Sequence, residues 1–177
     1  MSATSERLLV DAMCGKLATY LRMCGYDAAY VLDRGGERGT DTDSGPASAS
    51  ESPSDAEIAA WAERSGRTLL TRDVDLAARV DGAVLLQSRD VVEQLETLYE
   101  AGFDLSLADP PCRCGACNGE LRRVASEESL FDADASLPTG APDPVETPCW
   151  RCRDCGQVFW KGSHWDDVAA TLARVRK

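Results

Sequence analysis

The chain has 177 residues, 44% of them hydrophobic, which is room for one large domain or two small ones with a substantial core. Thirty acidic against 19 basic residues give a net charge of −11 and argue against a broad basic footprint for nucleic acid, although a cation-binding site would neutralise its own acids. No apolar run nears the ~18 residues of a membrane span and the amino terminus shows no signal pattern, so a cytoplasmic protein is expected. Only three basic residues are lysine, and Asp outnumbers Glu 18 to 12, a composition suited to a high-salt cytoplasm. In a reducing compartment the eight cysteines are expected as metal ligands or core residues rather than a disulfide framework.

Leu8–Val10 is a short apolar run ending in Asp11, the pattern of a buried strand that delivers an acid. From Gly15 to Cys24 the apolar residues Leu17, Tyr20, Leu21 and Cys24 recur at three- and four-residue steps, predicting a helix stopped by Gly25. Ala28–Leu32 is a second strand and closes a βαβ unit. Residues 34–54 hold no large apolar side chain and are expected as a disordered insertion. Ser54 and Glu57 have capping-box spacing and open a helix through Ile58, Trp61 and Ala62 that ends near Gly66. A third strand, Thr68–Thr71, breaks into Arg72, Asp73 and Asp75. A short helix at Leu76–Val80, a strand at Ala83–Leu86 and a helix at Val91–Tyr99 follow.

This alternation predicts an α/β domain over 1–108, with a parallel sheet covered by helices on both faces. Asp109-Pro110-Pro111 marks a boundary to a second unit, 112–177. That unit has cysteines at 112, 114 and 117, a strand at Leu121–Val124, a polar loop at 126–148 and cysteines at 149, 152 and 155. A strand at Gln157–Trp160 and a last amphipathic helix with Trp165, Val168, Leu172 and Val175 complete it.

Two C-x2-C pairs in so small a unit have the spacing of a structural zinc site, with four thiolates held tetrahedrally and no open position. Cys149, Cys152 and Cys155 offer two overlapping registers for the second pair. Cys114/Cys117 with Cys152/Cys155 is preferred, because Asn118-Gly119 and Gly156 follow and tolerate the left-handed backbone of a metal knuckle. Cys112 and Cys149 are then spare thiols beside the knuckles.

Asp11, Asp73 and Asp75 fall at or just past strand carboxyl ends, where open α/β sheets build their sites, and Asp55 opens a helix packed nearby. Acids converging without a histidine suit Mg2+ or Mn2+, which keep several waters and bind phosphate oxygens, and so suit phosphodiester hydrolysis. Structural readings stand beside this one. Asp55 also fits a helix first turn, and Asp75 fits an N-cap for the helix at 76–80. Asp11 is harder to dismiss, since an unpaired acid ending a buried strand is costly unless something binds it. His164, the sole histidine, sits beside a Ser163–Asp166 capping pattern and reads as a surface or structural residue, or as a zinc or RNA contact. Trp150, Trp160 and Trp165 read as the core of the small unit or as base-stacking platforms.

Four stretches, in order, resemble the mut-seven C-terminal RNase family: Asp11 to Asp27, Leu70-Thr-Arg-Asp73, Arg113-Cys-Gly-Ala-Cys-Asn118, and Phe159-Trp-Lys-Gly-Ser-His164. The resemblance implies a PIN-like nuclease domain joined to a carboxy-terminal zinc ribbon, metal-dependent RNA cleavage, and RNA as partner. It implies Asp11, Asp55 and Asp73 as the Mg2+- or Mn2+-holding acids, with Asp75 a further candidate. It also implies Lys16, Arg22 and Arg72 as phosphate contacts, and Cys114, Cys117, Cys152 and Cys155 as zinc ligands. The match departs at Cys14, where an aliphatic residue is expected, so Cys14 reads as a small core replacement. The competing reading is a non-catalytic RNA- or protein-binding module, with structural acids and a zinc ribbon that does the recognising.

Overall fold

The structure, a computed structural model, describes residues 6–33, 52–124 and 137–177. The expected insertion at 34–54 and the first half of the polar loop at 126–148 fall largely outside these residues. Strands β1 (Arg7–Val10), β2 (Asp27–Tyr30), β3 (Thr68–Thr71) and β4 (Val84–Leu85) form one parallel sheet in the order β2-β1-β3-β4. Their side chains alternate between two buried faces, which is why the strands read as unbroken apolar runs. Leu8, Val10 and Leu70 enter one core with α1 (Gly15–Met23) and α4 (Val91–Glu100). Leu9 and Leu69 enter the other, with Ile58 and Trp61 of α2 (Asp55–Ser65) and Leu76 of α3 (Val74–Arg79).

The strand order follows from right-handed crossovers. The chain leaves β1 through α1 to β2, then returns through α2 to the far side of β1, so the two helices must cover opposite faces. The winding reverses between β1 and β3. The crevice at their carboxyl ends is therefore the switch point of the sheet, where α/β proteins place ligands.

Helix ends agree with the sequence at α2, where Ser54 and Glu57 form the reciprocal capping box. They differ in two places. α3 starts at Val74, because Asp73 rather than Asp75 supplies the cap: its Oδ1 accepts the Leu76 N–H at 2.8 Å. The last helix, α5 (Ser163–Val175), has Gly162 as N-cap with no side-chain acceptor, so the Ser163–Asp166 capping pattern goes unused.

In the second unit β5 (Leu121–Arg123), β6 (Cys149–Cys152) and β7 (Val158–Trp160) form an antiparallel sheet in that order. β6 escapes a sequence reading, since Cys-Trp-Arg-Cys looks like a knuckle; here Cys149 pairs with Trp160 and Trp150 with Phe159. Trp150 is buried, as a core residue of the small sheet. α5 follows this sheet in sequence, but by packing it belongs to the first core. Val168, Leu172 and Val175 lie there with Leu95 and Leu98. No helix among the described residues is long and apolar enough to cross a membrane.

Candidate active site and metal centre

The β1–β3 ladder runs directly into the acids. The Asp11 N–H donates to the Leu70 carbonyl at 3.0 Å, extending the pairing one residue past β1 and bringing Asp11 alongside Thr71. Asp11 is 6% exposed. Its Oδ1 accepts the Ala12 N–H at 2.6 Å, capping a 3-10 turn at Ala12–Cys14, and its Oδ2 accepts the Thr71 hydroxyl at 2.6 Å. Thr71 is fully buried, and its Oγ1 also accepts the Asp73 N–H at 3.0 Å. A single hydroxyl thus ties the acid after β1 to the acid after β3. Thr71 is the residue that a search for charged groups passes over. Its only signal in the sequence is a hydroxyl closing an apolar strand two residues before an acid.

Asp55 is the exposed first residue of α2, next to the capping Ser54. Because α2 leads back into a parallel strand, its amino end lies at the carboxyl end of the sheet, the same end as Asp11 and Asp73. Asp75 is exposed in the first turn of α3. The structure therefore joins Asp11 and Asp73 through Thr71 and leaves Asp55 and Asp75 exposed on flanking helices. Among the described residues the carboxylates form no metal-sized group of three; four cysteines do.

The three cations differ in setting. Lys16 is exposed in the first turn of α1. Arg72 is half-buried beside the acids, its Nε buried without a hydrogen-bond partner and its Nη1 3.9 Å from Met13 Sδ. Cys14 lies in the core, as expected; burial and then the Asp11 charge push its thiol up to about 11, and Arg72 partly offsets this. Arg22 departs from the expectation of a phosphate contact. It is 2% exposed, and its guanidinium donates to the carbonyls of Ala28, Gly115 and Ala116 and to Asp33. A buried guanidinium spent on protein acceptors has no face to offer a strand of RNA.

The four cysteines Cys114, Cys117, Cys152 and Cys155 present sulfurs all within 4.8 Å of one another. Cys114 to Cys155 is 3.7 Å and Cys117 to Cys152 is 3.5 Å. A tetrahedron of Zn–S bonds near 2.3 Å has edges of about 3.8 Å, so the donor set fits zinc in size and chemistry. Asn118 (φ 69°) and Gly156 (φ 74°) take the left-handed backbone expected after each knuckle. At Gly119 an added Cβ would sit 2.7 Å from Cys152 Sγ, so the first knuckle closes only over a glycine. Cys149 lies apart, its Sγ donating to the Thr147 carbonyl, and the overlapping register drops out.

The knuckle is bolted to the large sheet. Asn118 Nδ2 donates to Asp27 Oδ1 at 2.7 Å, and its Oδ1 accepts the Ala28 N–H at 3.0 Å. Asp27 also pairs with Arg7 at 3.2 Å and with Arg67 at 3.0 Å. Burial alone would raise the Asp27 carboxyl, but hydrogen bonds from Arg67 and Asn118 prevail and hold it at about 2.

Among known proteins, no curated protein and no solved structure matches this chain. A family model does: the Mut7-C RNAse domain, over residues 6–172. That span takes in both the acid-bearing sheet and the cysteine cluster, and points to a nuclease or RNA-related function. The chain belongs to the Mut7-C RNAse domain family.

Proposed function

We propose that the protein is a metal-dependent ribonuclease that hydrolyses RNA phosphodiester bonds at the crevice between β1 and β3. The observation that carries this reading is the Thr71 hydroxyl shared between Asp11 and the Asp73 amide at the switch point of the sheet. Asp11 and Asp73 would hold Mg2+ or Mn2+, with Asp55 and Asp75 as further candidate acids. The donor set is oxygen only, which suits a hard cation that retains several waters. Such a cation supplies Lewis-acid polarisation of the phosphate and a more acidic bound water.

The remaining work falls to the chain itself. Thr71 fixes which way the Asp11 carboxylate faces. Arg72 and Lys16, neither with a carboxylate partner among the described residues, are the cations available to a phosphate. The four-thiolate site offers no open position, so its role is to hold the ribbon that helps seat RNA. The acidic, lysine-poor composition favours testing at high salt.

The test is cleavage of single-stranded and structured RNA, with and without Mn2+, by Asp11→Asn, Asp73→Asn and the double variant. Loss of cleavage is expected; Asp73→Asn keeps its capping acceptor and melts close to wild type, whereas Asp11→Asn gives up one of the two oxygens that accept from Ala12 and Thr71 and is expected to melt somewhat lower. Undiminished cleavage by the double variant rejects the site. One observation favours the second reading, a binding module without chemistry: no three described carboxylates gather as tightly as the cysteines do. RNA binding without cleavage under any divalent ion would select it.

A further inference from the structure

The stretch Phe159–His164 takes no part in the acid site, yet it lines a cavity of about 440 Å3 between β7, the start of α5 and one side of α1. Its walls are apolar and aromatic: Met23, Pro111, Phe159, Trp160 and Trp165. Trp160 is 37% exposed, one of few large hydrophobics that the fold leaves open. Its indole lies against Gly162, where an added Cβ would meet Nε1 at 3.0 Å.

The charge of the lining is distinctive. Among the described residues no Asp or Glu lines this cavity, while Arg113 and His164 do; Arg22 also borders it, with its guanidinium already engaged by protein acceptors. The neighbouring larger cavity, of about 760 Å3, is lined by Asp27, Asp33, Glu120 and Asp154 as well as arginines. In an acidic protein, an aromatic cavity with no acid among its described lining residues is suited to a flat, π-rich group carrying negative charge. The size suits a single such unit, since small-ligand pockets run from about 300 to 1,000 Å3.

We propose that this cavity takes one unpaired base of a single-stranded RNA, stacked on Trp160, with the adjoining phosphate near Arg113. Every base offers a π-face, so a stacking site of this kind tolerates sequence. A base inside a duplex is stacked and paired and is not free to enter, so the site selects single strands. The cavity touches Thr19, Arg22 and Met23 on the second half of α1, whereas Asp11 precedes that helix. At ~1.5 Å per residue, the offset along the helix is about 10 Å. Along the helix axis, that is the rise of about three stacked nucleotides at ~3.4 Å each.

The proposal rests on the RNA-directed reading above, and its test separates the two. Binding is measured on the zinc-loaded Asp73→Asn protein by the fluorescence anisotropy of an end-labelled eight-nucleotide single-stranded RNA, the same RNA carrying abasic sites, and its duplex. Binding of the single strand is expected, weakened about ten-fold or more by Trp160→Ala, by abasic sites or by pairing. His164→Ala, also an exposed residue at the rim, is expected to have a smaller effect than Trp160→Ala. Equal affinity for duplex and single strand overturns the proposal, as does unchanged binding by Trp160→Ala. A Trp160-dependent self-association seen by light scattering, without RNA binding, overturns it in favour of a second copy of the chain. Cleavage is measured separately with Trp160→Ala in the otherwise wild-type protein, where KM rises and kcat holds. If wild type cleaves nothing but binding still depends on Trp160, only the nuclease reading fails. If cleavage survives with KM and binding unchanged, only the stacking site fails.

Discussion

Replacing Thr71 by valine removes one oxygen from the interior and leaves the shape nearly constant, so it isolates what the hydroxyl does. Two bonds are lost: the 2.6 Å donation to Asp11 Oδ2 and the 3.0 Å acceptance from the Asp73 N–H. A hydrogen bond to a charged acceptor contributes about 1.5–3 kcal/mol and a neutral one about 1, so the loss is roughly 3 kcal/mol. The added buried methyl returns about 0.8 kcal/mol. The net cost is about 2 kcal/mol, which for a chain of this size lowers Tm by roughly 4–8 °C. Thr71→Ser keeps the hydroxyl and gives up only a methyl, at about 1 kcal/mol. Thermal unfolding followed by circular dichroism reads both variants, and Mn2+-dependent cleavage is expected to fall in the valine variant and survive in the serine one. A serine variant less stable than the valine variant would refute the reasoning, because packing and not the hydroxyl would then hold the site.

Asp27 gives a pH dependence of definite sign. Its folded carboxyl, held at about 2, lies below its ordinary 3.8, so its contribution is present above pH 4 and is lost as pH falls from there towards 2. The amount is about 2 kcal/mol at 1.36 kcal/mol per unit, and Asp27→Asn is expected to be less stable at neutral pH and to show a flatter acid limb in urea titrations. Zinc removal gives a site-specific readout. One zinc per chain is expected by elemental analysis, and chelation should speed hydrogen exchange at the Ala28 amide, whose acceptor is Asn118 of the knuckle. Unchanged exchange at Ala28 after complete zinc loss would show that the knuckle and the sheet are not coupled.

How much of this was legible in the sequence depended on range. Short runs that are mostly apolar, at Leu8–Val10, Ala28–Leu32, Thr68–Thr71 and Ala83–Leu86, marked every strand of the large sheet, because strands buried on both faces leave little room for polar residues. The cysteine pairing was legible through Asn118 and Gly156, whose backbone needs are local. β6 was not, since its strand character comes from pairing with β5 and β7 rather than from its own residues. Arg22 was misjudged for a related reason. A basic residue in a motif reads as a contact for phosphate, and only the fold reveals that the carbonyls of residues 115 and 116 lie within its reach, more than 90 positions away. The cap of α3 turned on a two-residue choice between Asp73 and Asp75 that spacing alone does not decide.

The same long-range contacts explain why a ribbon accompanies this sheet. A parallel sheet of four strands has two edges, and an exposed edge invites pairing with another chain. β4 blunts one edge by being two residues long. β2 is the other, and it is a full four-residue strand. Its outward backbone groups at Ala28 are taken by side chains: the N–H donates to Asn118 Oδ1 at 3.0 Å, and the carbonyl accepts from Arg22 Nε at 2.9 Å. Arg22 in turn holds two carbonyls of the first knuckle, and Asn118 is the knuckle's own left-handed residue. The knuckle therefore does for β2 what a further strand would do, without offering a new edge. The geometry that a zinc ion would impose on Cys114 and Cys117 reaches the sheet through one amide side chain and one guanidinium. Metal binding at the ribbon would be coupled to order at β2 by five hydrogen bonds, counting the one from Asn118 Nδ2 to Asp27. Since β2 pairs along the whole of β1, that order extends to the strand that ends in Asp11.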